Sequence, residues 1–129
     1  MIALDTNVLL RYILDDDVIQ TEIARKLLED ELTSAEPGFI SLIVVVELVW
    51  VMRRLYRQSA ERVAAILLEL TENAVLVIEH AAFVRAAIVE RRADISDILL
   101  HEVGRLNGCS RTVTFDRGFS TLPHVDLLC

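Results

Sequence analysis

The stretch MIALDTN (residues 1–7) places a short apolar segment directly before an acidic residue and two small polar ones. The apolar segment is typical of a buried strand, and the apolar run that begins at Val8 has the length of a helix. Side chains at such a strand-to-helix junction lie at the rim of an α/β sheet, where these proteins bind their ligands. Asp5 is therefore the first candidate for a functional residue.

Three further acidic residues lie in apolar surroundings. The strand-like segment at residues 112–115 runs into Asp116, Glu47 interrupts the longest apolar stretch at residues 42–52, and Asp97 precedes another apolar run. A helix that is apolar on all sides is expected to be buried, and a buried carboxylate is costly unless it is paired or binds a cation. Together with Asp5, these acids predict a site that holds metal ions.

Each acid also has a structural explanation. Glu47 could pair with an arginine or lie on a polar stripe that reaches water. Asp94 suits a helix N-cap with Asp97 in the first turn, as in a variant capping box, and would otherwise be an auxiliary ligand. A type I turn would equally favour Asp116. Small polar residues beside the acids would support a metal-bound water or a phosphate oxygen, or else cap helices, and these are Thr6, Asn7 and Thr114.

The pattern of strands and helices predicts an α/β fold. No composition shift, repeat or low-complexity tract divides the 129 residues, so we expect one domain over residues 1–129. Predicted strands cover residues 2–5, 39–41, 74–78, 111–115 and 125–128, and predicted helices cover residues 8–14, 20–30, 42–57, 59–70, 81–92 and 96–106. Such alternation indicates a mostly parallel central sheet of about four or five strands flanked by helices. The acidic run at residues 15–17 is interpreted as a turn and helix cap.

The chain is acidic, with a net charge of −7, and Lys26 is its only lysine. An acidic protein does not attract the phosphate backbone of nucleic acid in bulk, so any such contact must be local. Two groups of arginines are candidates for this contact, or else form solvated helix faces: Arg53, Arg54 and Arg57 in the first, and Arg85, Arg91, Arg92 and Arg105 in the second.

Several classes of protein do not fit this sequence. No stretch approaches the roughly 20 apolar residues of a membrane-spanning helix, and the N-terminus has no signal-peptide pattern, so we expect a cytoplasmic protein without a membrane segment. Cys109 and Cys129 have no metal-binding spacing, and the three histidines are too scattered for a zinc site. Oxygen ligands alone favour Mg²⁺, with Mn²⁺ as an alternative.

Four stretches together resemble the PIN-domain family, and in particular the VapC-like ribonuclease toxins of bacterial toxin-antitoxin pairs. They are IALDTNVLLRYIL (residues 2–14), FISLIVVVELVWVMRR (39–54), ADISDILL (93–100) and TVTFDRGFSTLPHVDLL (112–128). Their order and spacing cover nearly the whole chain. The resemblance implies a PIN-like three-layer fold and a single PIN domain.

The resemblance also implies a magnesium-dependent endoribonuclease that hydrolyses RNA phosphodiester bonds with one or two metal ions. The acids of the family map onto Asp5, Glu47, Asp97 and Asp116, with Asn7 and Thr114 in supporting roles. Asp5 and Asp97 would be the usual magnesium ligands. Implied partners are an RNA substrate, a second copy of the chain in a homodimer, and a cognate antitoxin that covers apolar helices and places a basic residue in the acidic pocket.

Two other functions are compatible with aspartates at strand ends. An aspartyl phosphotransferase or receiver-like domain needs a lysine beside the phosphoryl oxygens, whereas Lys26 is in a predicted helix far from any predicted strand end. A catalytically silent PIN-fold binding module would not need all four acids, which this chain has. Titration with a divalent metal separates the enzyme from the silent module.

Overall fold

The three strands nearest the N-terminus pair side by side as a parallel sheet. The computed structural model describes residues 1–90 and 92–129, which fall into two units, Met1–Ala81 and Ala82–Cys129. In the first unit, strands β1 (Ile2–Ala3), β2 (Gly38–Ile40) and β3 (Leu76–Ile78) lie in the order β1-β2-β3, with β2 hydrogen-bonded to both neighbours.

Four helices accompany this sheet, and three of them bury an apolar stripe, whereas the second leaves Val18, Ile19 and Ile23 exposed. They are α1 (Thr6–Leu14), α2 (Val18–Lys26), α3 (Leu42–Arg54) and α4 (Ala60–Glu72), and a π-helical turn, Leu27–Glu31, follows α2. In α4, Val63, Ile66, Leu67 and Leu70 are buried at helical spacing. The buried side chains of this unit therefore come from every one of its helices and strands except β1, whose two residues are exposed.

Gly38 is required by packing at the start of the central strand. A Cβ atom there would lie 2.8 Å from Leu4 Cδ1 and 2.9 Å from Leu32 Cδ1, closer than side-chain carbons approach one another. In the sequence, the pair Pro37 and Gly38 is typical of a connection between two elements. The structure instead places Gly38 within β2, where any side chain would force the neighbouring leucines to move.

The acidic run at residues 15–17 forms the predicted turn, and each of its three residues has a different role. Asp15 ends α1 in the left-handed conformation, with φ of 54°. Asp16 accepts hydrogen bonds from Arg11 Nη1 at 2.8 Å and from the Tyr56 hydroxyl at 2.8 Å, which ties the turn to the end of α3. Asp17 caps α2 by accepting the Gln20 N–H at 2.9 Å.

The second unit pairs two short strands, also in parallel. It contains α5 (Ala81–Glu90), α6 (Ile95–Leu106), β4 (Thr112–Thr114), a 3₁₀ turn (Phe119–Thr121) and β5 (Val125–Leu127). After α6 the chain reverses at Gly108, whose φ of 84° is one that glycine adopts without strain.

The predicted fold class is confirmed: strands alternate with helices and every described strand pair is parallel. The five described strands pair as a group of three and a group of two. Predicted ends of elements differ from the observed ones by up to a few residues, as in α3, which is predicted to reach residue 57 and ends at Arg54. No described helix has the length and apolar character needed to cross a membrane.

We expect Asp16→Asn to lower the melting temperature (Tm) at pH 7. Hydrogen bonds from Tyr56 and Arg11 hold the pKa of Asp16 below its usual range. A carboxyl with a lowered pKa in the folded state stabilises the protein above its unfolded pKa of about 3.9, and this stabilisation is lost as the pH falls through the folded pKa. The difference in Tm between parent and variant should therefore shrink below about pH 4, as measured by thermal melts across pH.

Asp15→Asn is the matched control, because asparagine also adopts the left-handed conformation. A loss of Tm in Asp16→Asn that persists unchanged at pH 3 would show that its charge is not responsible.

Candidate metal centre

Asp5 lies at the edge of the first sheet where its three parallel strands end. The strand register aligns Asp5 with Ser41 and Glu79, each just beyond the end of its strand. This is the edge at which open α/β sheets bind ligands. The structure therefore places Asp5 at the strand-to-helix junction that the first seven residues predict.

The carboxylate of Asp5 is not used to cap its own helix. Asp5 occupies the N-cap position of α1 and makes no side-chain cap hydrogen bond, although its carbonyl oxygen accepts the Val8 N–H at 3.1 Å. By contrast, Ser41 and Ser59 each accept a backbone N–H of the helix they begin. Asp94, the N-cap of α6, resembles Asp5 in making no such bond. The carboxylates of Asp5 and Asp94 therefore have capacity for another ligand.

The two polar neighbours of Asp5 have different surroundings. Thr6 is the first residue of α1 and is buried, whereas Asn7 is exposed. Asn7 lines a shallow groove with Arg11, Gln20 and Ile23, between α1 and α2. Thr6 thus anchors the start of the helix, and Asn7 is the one of the pair that a ligand could reach.

The expectation that Glu47 is buried is wrong. Residues Leu42, Val45, Leu48, Val49 and Met52 of α3 are buried, and Glu47 is exposed. It lies between Ile43 and Trp50 on the opposite face of the helix, where these side chains are 77% and 52% exposed. The sequence misleads here because apolar residues continue around α3 on the side that faces solvent.

Glu79 is an acid that the sequence analysis did not single out. One of its carboxylate oxygens accepts the Leu42 N–H at 2.8 Å, at the start of α3. Ser41 accepts the Val44 N–H of the same turn at 3.2 Å, so two side chains satisfy the first amides of the helix that carries Glu47. The sequence does contain one signal for Glu79, which is its position directly after the third strand.

Asp94, Asp97 and Asp116 act on one another in the second unit. Asp97 is half-buried in the first turn of α6, and burial, followed by repulsion from Asp94 and then from Asp116, raises the pKa of its carboxyl. Among the described residues, no arginine, lysine or histidine forms an ion pair with Asp97. Negative charge thus accumulates around Asp97, with no ion pair to it in the part of the chain that the structure describes.

Asp116 has the structural role of a turn residue as well as a place in this cluster. Its Oδ1 accepts the Phe119 N–H at 2.9 Å, and its own N–H donates to Thr114 Oγ1 at 3.0 Å. Asp116 therefore forms the predicted turn through one of its two carboxylate oxygens. Thr114, half-buried at the end of β4, fixes the backbone that presents the second carboxylate oxygen of Asp116.

His101 is a buried polar residue of the second unit, four residues after Asp97 on α6. Its Nδ1 lies 2.7 Å from Thr112 Oγ1, a hydrogen bond that joins α6 to β4. With this partner inside the unit, His101 serves to join the helix to the strand and adds no nitrogen ligand to the carboxylates.

Within either unit, the described residues form no ready-made group of three Asp, Glu, His or Cys ligands. Magnesium ordinarily keeps several waters and is held by only one or two protein carboxylates, so such a group is not required. Each unit by itself offers carboxylate oxygens, which are Asp5 in the first unit and Asp97 with its acidic neighbours in the second. Oxygen donors of this kind suit a hard divalent cation.

The candidate arginines separate into paired and unpaired side chains. Arg105 lies 3.8 Å from Glu102, and Arg92 pairs with Glu90. Arg54 and Arg57 are exposed and form no ion pair among the described residues. Arg91 lies outside the described residues. Of these side chains, Arg54 and Arg57 are the ones left available for phosphate.

We expect Asp97→Asn to raise the Tm at pH 7 in the absence of divalent metal. A raised pKa means that the ionised carboxyl opposes folding above the folded pKa, and that this cost disappears below the unfolded pKa of about 3.9. Because water screens a half-exposed group, the gain should be about 2 °C at pH 7 and should vanish near pH 3.

Asp94→Asn should give a smaller gain, since it removes only part of the repulsion. A loss of stability in Asp97→Asn at pH 7 would contradict this account, and both variants can be measured in the same thermal melts with EDTA.

Comparison with known proteins assigns the family. The model of the PIN domain family matches residues 2–125, whereas no curated protein and no solved structure matches the chain. PIN domains are generally nucleases that use divalent metal ions and act on phosphodiester bonds. With the match running across both units, the chain belongs to the PIN domain family.

Proposed function

We propose that this protein is a magnesium-dependent endoribonuclease and the toxin of a toxin-antitoxin pair. The observation that carries the proposal is the half-buried Asp97 carboxylate, repelled by Asp94 and Asp116 and without an ion-pair partner among the described residues. A divalent cation would offset this repulsion, and carboxylate oxygens are the ligands that Mg²⁺ and Mn²⁺ prefer.

The proposed ligands come from the four acids of the sequence analysis. Asp5, Glu47 and Asp97 would hold the principal ion, and Asp116 would aid a second ion or position the attacking water. Asn7 and Thr114 would support this site, and Asp94 and Thr6 would be auxiliary. We propose that residues 1–129 act as a single PIN domain, which agrees with one family model matching residues of both units.

Each side chain has a defined task in this proposal. When bound, the metal would activate a water molecule and stabilise the charged oxygens of the phosphodiester. Thr114 and the Phe119 N–H hold Asp116 from two sides, so its second carboxylate oxygen is presented from a fixed turn. Asp5 is presented similarly, from the junction between β1 and α1. The products would include a 5′ phosphate.

The two alternative functions receive less support. Lys26 is the exposed last residue of α2 and does not directly follow a strand, which disfavours phosphotransfer. A silent binding module would not need a half-buried carboxylate that is repelled by neighbouring carboxylates, as Asp97 is.

Protein partners are part of the proposal. Ile43 and Trp50 flank Glu47 with exposed apolar surface, and exposed aromatic residues are enriched where proteins meet. We propose that a cognate antitoxin covers this face of α3 and sets a basic residue against the acids, and that the chain forms a homodimer in the cytoplasm.

The first experiment is RNA cleavage with and without Mg²⁺. We expect the purified chain to cut a mixed pool of structured RNAs only with Mg²⁺ or Mn²⁺, in exposed single-stranded regions. Asp5→Asn and Asp97→Asn should each lower the rate by about 100-fold or more, because a ligand to the reacting metal is lost. Gel analysis of end-labelled RNA measures this.

The control is Asp30→Asn, an exposed carboxylate outside the proposed site. Cleavage that survives both site variants would indicate a contaminating nuclease. If Mg²⁺ raised the Tm of neither parent nor control, the metal site would be assigned wrongly.

A second experiment addresses the antitoxin. In a complex purified with its antitoxin, hydrogen exchange should slow in α3 around Glu47 and at the start of α6 around Asp97, relative to the free chain. Trp50→Ala should weaken the complex by about tenfold, as truncation of an interface tryptophan commonly does. Unchanged exchange at both places would rule out this mode of inhibition, and sedimentation of the free chain separately reports the homodimer.

A further inference from the structure

Phe115 is exposed although its type is usually buried. The ring is 79% exposed, whereas Phe119, four residues later in the same segment, is 5% exposed. Phenylalanine is among the residues most often found inside proteins. Phe115 directly precedes Asp116, so this exposed ring stands beside a proposed metal ligand.

The backbone that carries the ring is fixed on both sides. The carbonyl oxygen of Thr114 accepts the Leu128 N–H at 2.7 Å, which continues the pairing of β4 with β5. Asp116 donates its N–H to Thr114 Oγ1, and its carbonyl oxygen accepts the Ser120 N–H at 3.1 Å. A ring held by such a backbone loses little conformational freedom when a ligand binds.

An exposed arginine follows the ring two residues along the chain. Arg117 is exposed and forms no ion pair among the described residues, whereas Arg111 of the same unit is engaged by Asp126 at 2.7 Å. An aromatic face combined with a cation is the arrangement with which proteins bind single-stranded nucleic acid, since bases stack on the ring and phosphates meet the cation.

The charges around the ring favour RNA over an apolar protein partner. A protein interface over Phe115 would remove water from the Asp116 carboxylate and the Arg117 guanidinium, which is costly unless both are paired. RNA supplies a phosphate for Arg117, and the acidic side remains open to a cation and water. Val113, on the same face of β4, is 49% exposed and would flank the stacked base.

We propose that Phe115 stacks on a base of the RNA strand beside the phosphodiester that is cleaved, and that Arg117 binds a neighbouring phosphate. The proposal rests on the ribonuclease function proposed above and assigns its preference for single-stranded RNA to two named side chains. Only an unpaired base can leave its own stack and lie on the ring. The site therefore selects unpaired nucleotides over duplex RNA.

Binding and cleavage test this proposal separately. A fluorescent single-stranded RNA of 12 nucleotides, with Ca²⁺ in place of Mg²⁺, serves as the probe. Phe115→Ala should weaken binding about tenfold, while Phe115→Tyr should bind as the parent does, because the tyrosine ring also stacks. Arg117→Gln should lower the slope of log K against log salt by about 0.7. Val89→Ala, 80% exposed on α5, is the matched control.

Direct stacking has its own signal. With Phe115→Trp in a Trp50→Phe background, the single-stranded RNA should quench the introduced indole, and a duplex of the same sequence should quench it far less. Equal quenching by both would overturn the preference for unpaired bases.

The remaining outcomes separate the two proposals. If Phe115→Ala binds RNA as the parent does but changes the mass measured by light scattering, the ring is a protein contact and the stacking proposal is wrong. If Phe115→Ala weakens RNA binding while the parent cuts no RNA with Mg²⁺, stacking is supported and the nuclease function fails. If the parent cuts RNA and Phe115→Ala leaves both binding and KM unchanged, the nuclease stands and stacking fails.

Discussion

The parallel pairing of β2 with a strand on each side is the constraint on which the first unit depends. Parallel strands point the same way, so their carboxyl ends meet at one edge, and the register sets Asp5, Ser41 and Glu79 side by side there. Two of the three serve α3, since Ser41 and Glu79 both accept its first amides. Asp5 alone is left without a backbone amide to bind, which makes it the chemically available member of the row.

The same contrast separates structural from candidate functional acids elsewhere in the chain. Asp16 and Asp17 are satisfied by Arg11, Tyr56 and a helix amide within their own unit. Asp97 instead has acidic neighbours and its pKa is raised. A protein that only needed stability would gain by neutralising Asp97, and the cation proposed to bind there would offset this cost.

Much of the fold could be predicted because its patterns are local. The junction of strand and helix at Asp5, the turn at residues 15–17 and the helix α4 each follow from a few adjacent residues, and the structure agrees with them. The exposure of Glu47 could not be predicted, because a helix that is apolar all round does not reveal which face is covered. Glu79 was missed because its role depends on Leu42, a residue distant in the chain. The exposure of Phe115 could not be predicted either, because phenylalanine is usually buried and only the packing of the chain shows that this ring is exposed.

The position of Gly38 in the central strand affects how the chain folds while it is synthesised on the ribosome. Its strand pairs with Ile2 on one side and Leu76 on the other, and its missing side chain leaves room for leucines from three separate segments. Both strand pairings of β2 are thus distant in the chain, and such pairings form late because long loops must close first. The edge that presents Asp5 is completed only after β3 has emerged during synthesis. A nascent chain shorter than about 80 residues therefore carries Asp5 without the completed sheet edge that aligns it with Ser41 and Glu79.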